Sequence, residues 1–296
     1  MRRTVVALAA GVVAVAGCGG SGARQGTEIA FISARGGATE IYLVDADGRH
    51  EHRLTHGDAI SEISPLVPMA PPAWSPDGKW IAYENDHSTA GEIDVVRADG
   101  TDRRVLVRSA LYPAWSPDGD LIAFTRVRGR TTAVWTVRTD GTGARRVVRG
   151  GIFSAWSPDG KRLAYVRRVH TNVDIYTSNL DGSDERRVTT DPAPDLLPAW
   201  APAKEIAFVR SGGNLDIYVV RPDGTGERRV TDDLGADESP AWSPDGRRLA
   251  YVNDLAFTTE FAHGAEIFVI GADGTGRRRL THNQFDDVAP AWAPAG

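Results

Sequence analysis

The phrase Pro-Ala-Trp-Ser-Pro-Asp-Gly, or a close variant of it, occurs six times and constrains the fold of this chain more than any other feature. Its tryptophans follow one another at intervals of 41, 41, 44, 42 and 50 residues: Trp74, Trp115, Trp156, Trp200, Trp242 and Trp292. A repeat of about 40 to 45 residues is the period of a β-propeller blade. The chain is therefore expected to consist of stacked copies of one small sheet.

Three other phrases interleave with the tryptophan phrase and complete the repeat. An Ile-Ala-Phe-like triplet follows each tryptophan phrase, as at Ile81, and an Ile-Tyr-Val-Val-like run ending in Asp-Gly comes next, as at Ile217. Most copies then close on Arg-Arg-Val-Thr or a variant. Each unit thus predicts four short strands, and the consecutive apolar residues of the third strand predict burial on both of its faces.

The turn residues support hairpins between these strands. In Ser-Pro-Asp-Gly, the proline presets the φ angle of a type I turn and the glycine takes the left-handed position that closes it. The later Asp-Gly pairs, such as Asp223-Gly224, fit the hairpin between the third and fourth strands.

The register of the repeats predicts how the ring closes. The propeller segment begins with a second-strand phrase at Ile29 and ends with a first-strand phrase at Pro290-Ala291-Trp292. Three N-terminal strands and one C-terminal strand would complete a single blade and remove the open edges. The prediction is an all-β, six-bladed propeller of four-stranded antiparallel blades.

At this point the residues resemble a known family, the TolB-like β-propellers, whose repeats carry these phrases in this order. The resemblance covers residues 28–296 and implies the fold; it implies function less specifically. Periplasmic TolB itself, a partner of the Tol-Pal envelope system, carries an additional N-terminal α/β domain, which is not recognised here. Two units depart from the motif, because Trp200-Ala201-Pro202-Ala203 and Trp292-Ala293-Pro294-Ala295 lack the Asp-Gly.

The N-terminus has the organisation of a secretory signal that ends at the only cysteine. A short basic start precedes an apolar run of about 12 residues, too short for a bilayer span of about 20. Val15-Ala16-Gly17-Cys18 also resembles a bacterial lipobox. We expect a signal peptide at 1–17, lipidation of Cys18 and a flexible tether at 18–27; the alternatives are a plain secretory signal with a free thiol and a reactive cysteine.

Charge and composition limit the partner classes. The formal net charge of −5 becomes −7 once Arg2 and Arg3 leave with the signal, which argues against nucleic acid. We expect no cofactor, a monomer, and a chain lipid-anchored to the bacterial cell membrane or envelope on its extracytoplasmic side.

Catalytic and metal motifs are not found in the sequence. It contains no Gly-x-Ser-x-Gly elbow and no His-Glu-x-x-His. Asp45-Ala46-Asp47-Gly48 lacks the remaining ligands of a calcium loop, although carboxylates around a channel could hold calcium without a sequence signature. The tryptophans are interpreted as packing between blades, with a sugar-binding platform as the alternative. We predict neither an enzyme nor a metal site.

The loops contain the one irregular charge pattern. Links between blades and links between second and third strands emerge on the same face of a propeller, so their charges can be pooled. Arginines dominate around blades two to four, and acids dominate around the rest of the ring. The candidate partner-binding residues of this face are Arg126, Arg128, Arg130, Arg167, Arg168, His170, Asp232, Asp233, Asp237, Glu238, Asp286 and Asp287.

Two long loops add apolar residues that no core requires. Residues 56–71 form one, and residues 253–265 form the other and contain Phe257 and Phe261, which we add to the candidate contacts.

The functional hypothesis is a non-enzymatic, membrane-anchored envelope propeller that binds a protein or peptide partner through its loop face. The non-functional alternative is that the charge pattern of these solvated loops arose by chance. A small-ligand or glycan receptor, or a cryptic hydrolase or lyase in the channel, is the functional alternative. A polar pocket with converging carboxylates or aromatics would favour a ligand site, and an open charged rim would favour docking.

Overall fold

The computed structural model describes residues 27–35, 38–57, 69–85, 91–254 and 264–295. They form six four-stranded antiparallel sheets. The strands are β1 Glu28–Ser33, β2 Glu40–Asp45, β3 His52–Arg53, β4 Ala73–Trp74, β5 Trp80–Asn85, β6 Glu92–Arg97, β7 Arg104–Arg108, β8 Leu111–Trp115, β9 Leu121–Arg128, β10 Thr131–Arg138, β11 Arg145–Arg149, β12 Gly151–Trp156, β13 Arg162–Val169, β14 Asn172–Asn179, β15 Arg186–Arg187, β16 Asp195–Trp200, β17 Ile206–Ser211, β18 Leu215–Val220, β19 Arg228–Arg229, β20 Ala236–Trp242, β21 Arg248–Asp254, β22 Glu266–Gly271, β23 Arg278–Arg279 and β24 Asp287–Trp292.

The predicted six-bladed, all-β fold is confirmed, and so is the closure of the ring. Blade 1 has the strand order β24-β1-β2-β3, and blades 2 to 6 follow in chain order from β4, β8, β12, β16 and β20. Ile29 lies opposite Trp292 and Ala30 opposite Ala291, and the Ala293 amide donates to the Glu28 carbonyl at 2.8 Å. The first described strand is therefore an interior strand of its sheet.

The Ser-Pro-Asp-Gly segments form the predicted turns between first and second strands. In blade 3 the Ser116 hydroxyl donates to the Asp118 carboxylate at 2.5 Å, and the Gly119 amide donates to the Ser116 carbonyl at 3.0 Å. The hydrogen bond from Ser116 lowers the pKa of Asp118. Gly119 has a φ of 82°, which glycine adopts without strain. These aspartates therefore stabilise turns.

The hydrophobic core consists of layers between neighbouring blades. The aromatic residue of each second strand is fully buried there: Phe31, Tyr83, Phe124, Tyr165, Phe208 and Tyr251. Burying one such side chain contributes roughly 1.5 to 3 kcal/mol. Since each layer between two blades contains one of these aromatic residues, stability is distributed around the whole ring.

The innermost strands carry a bulge two residues before the alanine of the tryptophan phrase. The register shifts between Leu111 and Ala114 in blade 3, and Tyr112 within the bulge has a φ of 56°. Non-glycine residues rarely adopt this left-handed conformation. It recurs at the equivalent positions of other blades: Phe153, Leu197, Ser239 and Ala289. The bulge bends each inner strand where it lines the central channel.

Among the described residues, no helix is long and apolar enough to cross a membrane. The predicted signal peptide, Cys18 and residues 19–26 of the tether lie outside the described residues.

Candidate functional site: the loop face of the propeller

The propeller has two faces that differ in their connections. We call the side with the Ser-Pro-Asp-Gly and Asp-Gly turns the turn face. We call the opposite side, with the links between blades and the β5–β6, β9–β10, β13–β14, β17–β18 and β21–β22 connections, the loop face. All predicted partner-binding residues that the structure describes lie at or near the loop face.

The β9–β10 hairpin forms the first part of the basic half of this face. Arg128 and Arg130 are exposed, and they make no ion pair within the described part of the chain. Arg126 is half-buried; its guanidinium donates to the Ser109 and Arg108 carbonyls at 3.2 and 3.3 Å. Burial, followed by repulsion from Arg128, lowers the pKa of Arg126. The hairpin thus presents concentrated positive charge.

The β13–β14 hairpin of blade 4 extends the basic half. Arg168 and His170 are exposed, and neither has a charged partner among the residues that the structure covers. Arg167 instead forms an ion pair with Glu185, which also accepts a 2.7 Å hydrogen bond from the Tyr165 hydroxyl. Arg168 and His170 are therefore available to a partner, whereas Arg167 is partly neutralised.

The acidic half is less exposed than the sequence suggested. Asp237 and Asp287 are fully buried, so a partner cannot contact them directly. Both lie on inner strands beside the channel, where the side-chain direction and not the loop position determines burial. Asp287 pairs with Arg35 at 2.5 Å and accepts a 2.7 Å hydrogen bond from Asn283. Asp287 therefore stabilises blade 1.

Asp237 has an unusual environment for a carboxylate. Asn253 donates to one of its oxygens at 2.7 Å, and the other oxygen is buried without a hydrogen bond in the described structure. Burial, partly offset by the hydrogen bond from Asn253, raises the pKa of Asp237 to about 7. The group therefore titrates near neutral pH.

The remaining predicted acids lie nearer to solvent. Asp232 is exposed, and Asp233 pairs with Arg277 at 3.0 Å. Glu238 is half-buried, and burial raises its pKa. Asp286 accepts a 2.8 Å hydrogen bond from the Ala265 amide. Asp232 is therefore the most accessible of the predicted acids, while Phe257 and Phe261 lie outside the described residues.

Sequence reasoning missed an apolar component of the loop face. Five large hydrophobic side chains of the described chain are exposed, and four of them lie on this face: Val127, Val169, Leu234 and Phe285. Val127 and Val169 lie within the two basic hairpins; Leu234 and Phe285 lie in links of the acidic half. The signal was present in the sequence, since each is a single large apolar residue within a polar connection.

One cross-strand position between the inner and second strands differs in charge from blade to blade. In blade 5, Asp195 of the inner strand lies opposite Arg210 of the next strand, and the two form hydrogen bonds of 2.8 and 3.0 Å. Blades 3 and 4 have the arginine but no acid: Arg126 with Ala110 in blade 3, and Arg167 with Gly151 in blade 4. Blades 6 and 1 have the acid but no arginine: Asp237 with Asn253 in blade 6, and Asp287 with Ser33 in blade 1.

The turn face contains a cavity of about 570 Å³ around the channel axis, lined by the prolines, alanines and tryptophans of the repeated phrase. Its lining includes no Asp, Glu, His, Cys, Lys or Arg side chain. The tryptophans also link blades, as expected: Trp74, Trp156 and Trp242 donate to carbonyls of the preceding blade at 3.2, 2.9 and 3.0 Å. The cavity is therefore apolar and aromatic.

No cluster of three or more His, Cys, Asp or Glu side chains suited to a metal ion occurs within the described ranges. Asp47, which the sequence placed in a faint calcium-like loop, instead accepts a 3.1 Å hydrogen bond from the Arg49 amide in a turn.

Comparison with protein families gives matches to a model described as the TolB beta propeller domain. The matches cover residues 87–211 and 152–256, together more than half of the chain. The Tol-Pal system protein TolB of Desulfosudis oleivorans is 40% identical over 57 residues, which are 19% of this chain and 11% of that protein. The chain thus matches only a small part of this relative's length.

Two solved structures have a similar fold. TolB from Acinetobacter baumannii superposes with a TM-score of 0.74 at 22% identity, covering 90% of this chain and 67% of that one. A putative TolB from Agrobacterium tumefaciens gives a TM-score of 0.66 at 23% identity, covering 90% and 91%. At these identities the likeness establishes the fold alone.

Proposed function

The chain belongs to the TolB β-propeller family, and from that premise we propose that it binds a protein partner in the cell envelope through its loop face. It acts without catalysis, outside the cytoplasm, and is attached to the membrane by a lipid on Cys18.

The exposed apolar side chains of the loop face carry this proposal. Four of the five exposed large hydrophobics of the described chain lie there, and Leu234 leaves 79% of its surface in solvent. Val127 lies between Arg126 and Arg128, and Val169 lies between Arg168 and His170. Single exposed apolar residues are common on protein surfaces, so it is the concentration of four of the five on one face, among charged side chains, that supports a docking surface there.

The proposed location rests on two observations. The relative from Desulfosudis oleivorans is named as a Tol-Pal system protein. The N-terminal sequence has the features of a lipoprotein signal ending at Cys18.

The proposed absence of catalysis is supported by the chemistry of the central cavity. Its lining offers one titratable group, the phenol of Tyr112, and burial raises the pKa of that phenol. A hydrolytic or lyase mechanism needs a base near its working pKa, or a nucleophile that such a base activates; this lining includes the hydroxyls of Ser154, Ser239 and Ser243 but no carboxylate, imidazole or amine to activate them.

Site-specific photocrosslinking in the native envelope tests the proposed function. A photoreactive amino acid at Phe285 or Leu234 should capture one defined partner, identified by mass spectrometry and then rebuilt from purified proteins. Val105 is the matched control, because it is the fifth exposed large hydrophobic and lies on the outer strand β7. Equal capture from Val105 and Phe285, or none from either loop residue, would contradict loop-face binding.

The turn-face cavity favours a second candidate, an apolar small ligand or the aromatic moiety of a larger one. Its volume lies within the range of about 300 to 1,000 Å³ that is usual for ligand pockets. Tryptophan fluorescence titrated with apolar and glycan libraries tests this candidate, with Ala155→Leu as a variant that narrows the cavity. Saturable quenching that Ala155→Leu abolishes would support it.

A further inference from the structure

Blade 5 contains a complete charge network on the side that faces blade 4. Arg210 binds Asp195 from the inner strand and Glu227 from the start of the outer strand, at 2.8 and 3.1 Å. Arg229 of the outer strand binds Asp216 of the third strand at 2.8 Å. Two arginines are thus neutralised by three carboxylates of the same blade, and Asp191 of the preceding link forms a further salt bridge with Arg210 at 3.5 Å.

Aromatic rings fix the position of the central guanidinium. Arg210 lies over the ring of Tyr218 at 4.7 Å and near that of Phe208 at 5.2 Å. In blade 3, Arg126 lies over Trp135 at 4.8 Å and near Phe124 at 5.2 Å. Since Arg126 and Arg210 occupy the same register position, blade 3 builds the same arginine platform.

Blade 3 lacks every carboxylate of this network. Ala110 stands five residues before the blade's tryptophan, where blade 5 has Asp195, and Ala144 immediately precedes the outer-strand arginines, where blade 5 has Glu227. Ala133 lies opposite Arg126, as Asp216 lies opposite Arg210. Three acids are replaced by alanines while both arginines, Arg126 and Arg146, remain.

Among the described residues, the side chains of these two arginines of blade 3 consequently have no carboxylate partner. The Arg126 side chain donates to the backbone carbonyls of Ser109 and Arg108. Arg146 pairs with Trp135 through the sheet backbone, but its side chain makes no hydrogen bond or ion pair within the described ranges. The opposite pKa directions agree with this difference. Burial lowers the pKa of Arg126, whereas hydrogen bonds to Asp195 and Glu227 outweigh burial and raise the pKa of Arg210.

In blades 4 and 1, arginines of this region have carboxylate partners, which in blade 4 come from other positions than the inner strand. Arg167 of blade 4 pairs with Glu185, and Arg187 pairs with Asp174 at 2.9 Å. In blade 1, Arg35 pairs with both Glu51 and Asp287. Within the described ranges, blade 3 alone retains both arginines and no acid.

We propose that Arg126 and Arg146 form the docking site for an acidic segment of the protein partner, whose carboxylates occupy the places that Glu227 and Asp216 fill in blade 5. The proposal rests on the proposed function and names the chemistry of its partner. The site is accessible, because Ala144 and Arg146 are exposed and Ala133 and Arg126 are partly so. Arg149, opposite Ala133, adds positive charge.

We expect the ligand groups to be carboxylates because Asp and Glu side chains of the chain itself bind the equivalent arginines in blade 5. Asp and Glu oxygens accept the planar fork of an arginine with two parallel hydrogen bonds. A guanidinium stacked on Trp135 and held by backbone carbonyls is already positioned, so little side-chain entropy is lost when the acid binds.

A substitution that places a carboxylate of the chain itself beside Arg126 tests the proposal. Ala144→Glu restores the residue that blades 1, 4 and 5 carry, at an exposed position, and should leave the melting temperature unchanged or higher. The probe is a fluorescein-labelled octaglutamate peptide, read by anisotropy at about 20 mM salt, where screening is weak. We expect Ala144→Glu to weaken its binding about tenfold, equivalent to about 1.4 kcal/mol, and Arg126→Gln to do the same.

Matched controls separate a built site from general charge. Thr190→Glu adds the same charge to an exposed position of the same face and should weaken binding less than twofold. Octaglutamine should not bind. Equal effects of Thr190→Glu and Ala144→Glu, or displacement of the peptide by inorganic phosphate at equal charge, would overturn the acidic-segment docking site.

The two proposals fail separately. If crosslinking from Phe285 captures its partner equally well with the parent and with Ala144→Glu, the acidic docking site is wrong and loop-face binding stands. If octaglutamate binds at Arg126 but no loop position captures a partner, loop-face binding fails in the envelope while the carboxylate site stands.

Discussion

Removal of the last strand is the sharpest test of how this ring is held together. A chain that stops after Asp287 loses the pairings of Ile29 with Trp292, Ala30 with Ala291 and Ile32 with Val288. It keeps only the first pair of the ladder, Ser33 with Asp287. The inner edge of β1 would then be exposed to the channel.

The expected cost follows from what the strand buries. Trp292 is 7% exposed and packs with Ile29 and Phe31, and loss of a buried tryptophan costs roughly 3 to 5 kcal/mol. The fully buried Ala289 and Ala293 add to this loss. Since a domain is stable by only about 5 to 15 kcal/mol, the truncation removes a large part of the total.

Size-exclusion chromatography and thermal unfolding check this expectation. The truncated chain should aggregate through the open edge, or melt more than about 10 °C below the parent. A chain that stops after Ala293 is the control, because it keeps the whole ladder and should melt with the parent. A monomeric truncation at Asp287 that melts at the parent temperature would refute the account of ring closure.

Three further predictions concern the anchor, a buried acid and the loop face. Cys18→Ala should release folded protein from membranes without changing its melting temperature, and its retention after a high-salt wash would contradict the lipid anchor. Burial raises the pKa of Asp237 to about 7 from the ordinary 3.8, so the folded state holds a proton that the unfolded chain releases, and stability falls as the pH rises through this interval. Asp237→Asn should remove this pH dependence of stability. The melting temperature of the variant minus that of the parent should therefore increase between about pH 5 and pH 8. A difference that stays constant over this range would show that Asp237 does not titrate there. Replacement of Arg126, Arg128 and Arg130 of the β9–β10 hairpin by Glu should slow capture of the partner and flatten the salt dependence of that capture. Arg247→Glu on the turn face should do neither, and equal effects of the two variants would show that the hairpin arginines are ordinary solvated surface.

The fold was predictable from the sequence because each level of the repeat agrees with the others. Turn residues, strand periodicity and the register of the chain ends all required six blades, and the pairing of Ile29 with Trp292 follows from that register. The site was only partly predictable. Loop position does not determine side-chain direction, so Asp237 and Asp287 were expected at the surface and are buried.

The most informative difference between blades is invisible without the structure. Ala110, Ala133 and Ala144 attract no notice as alanines in a sequence. They acquire meaning only because the strand register places them around Arg126, where blade 5 places acids. Charge on loops can be read from the sequence, but the absence of a compensating charge requires knowledge of neighbours across strands.

The position of β1 inside its sheet has a mechanical consequence. The chain enters blade 1 from the turn face, where the Ala46 amide donates to the Thr27 carbonyl at 2.6 Å, and β1 runs from there towards the loop face. If Cys18 carries the proposed anchor and the loop face binds the proposed partner, tension between the two would act along the axis of β1. Both of its ladders, to β2 and to β24, then resist in shear, so many hydrogen bonds bear the load together and none is unzipped singly. Ring closure by the C-terminal strand thus gives β1 a hydrogen-bonded neighbour on each side, so that a pull on its N-terminal end would load both ladders.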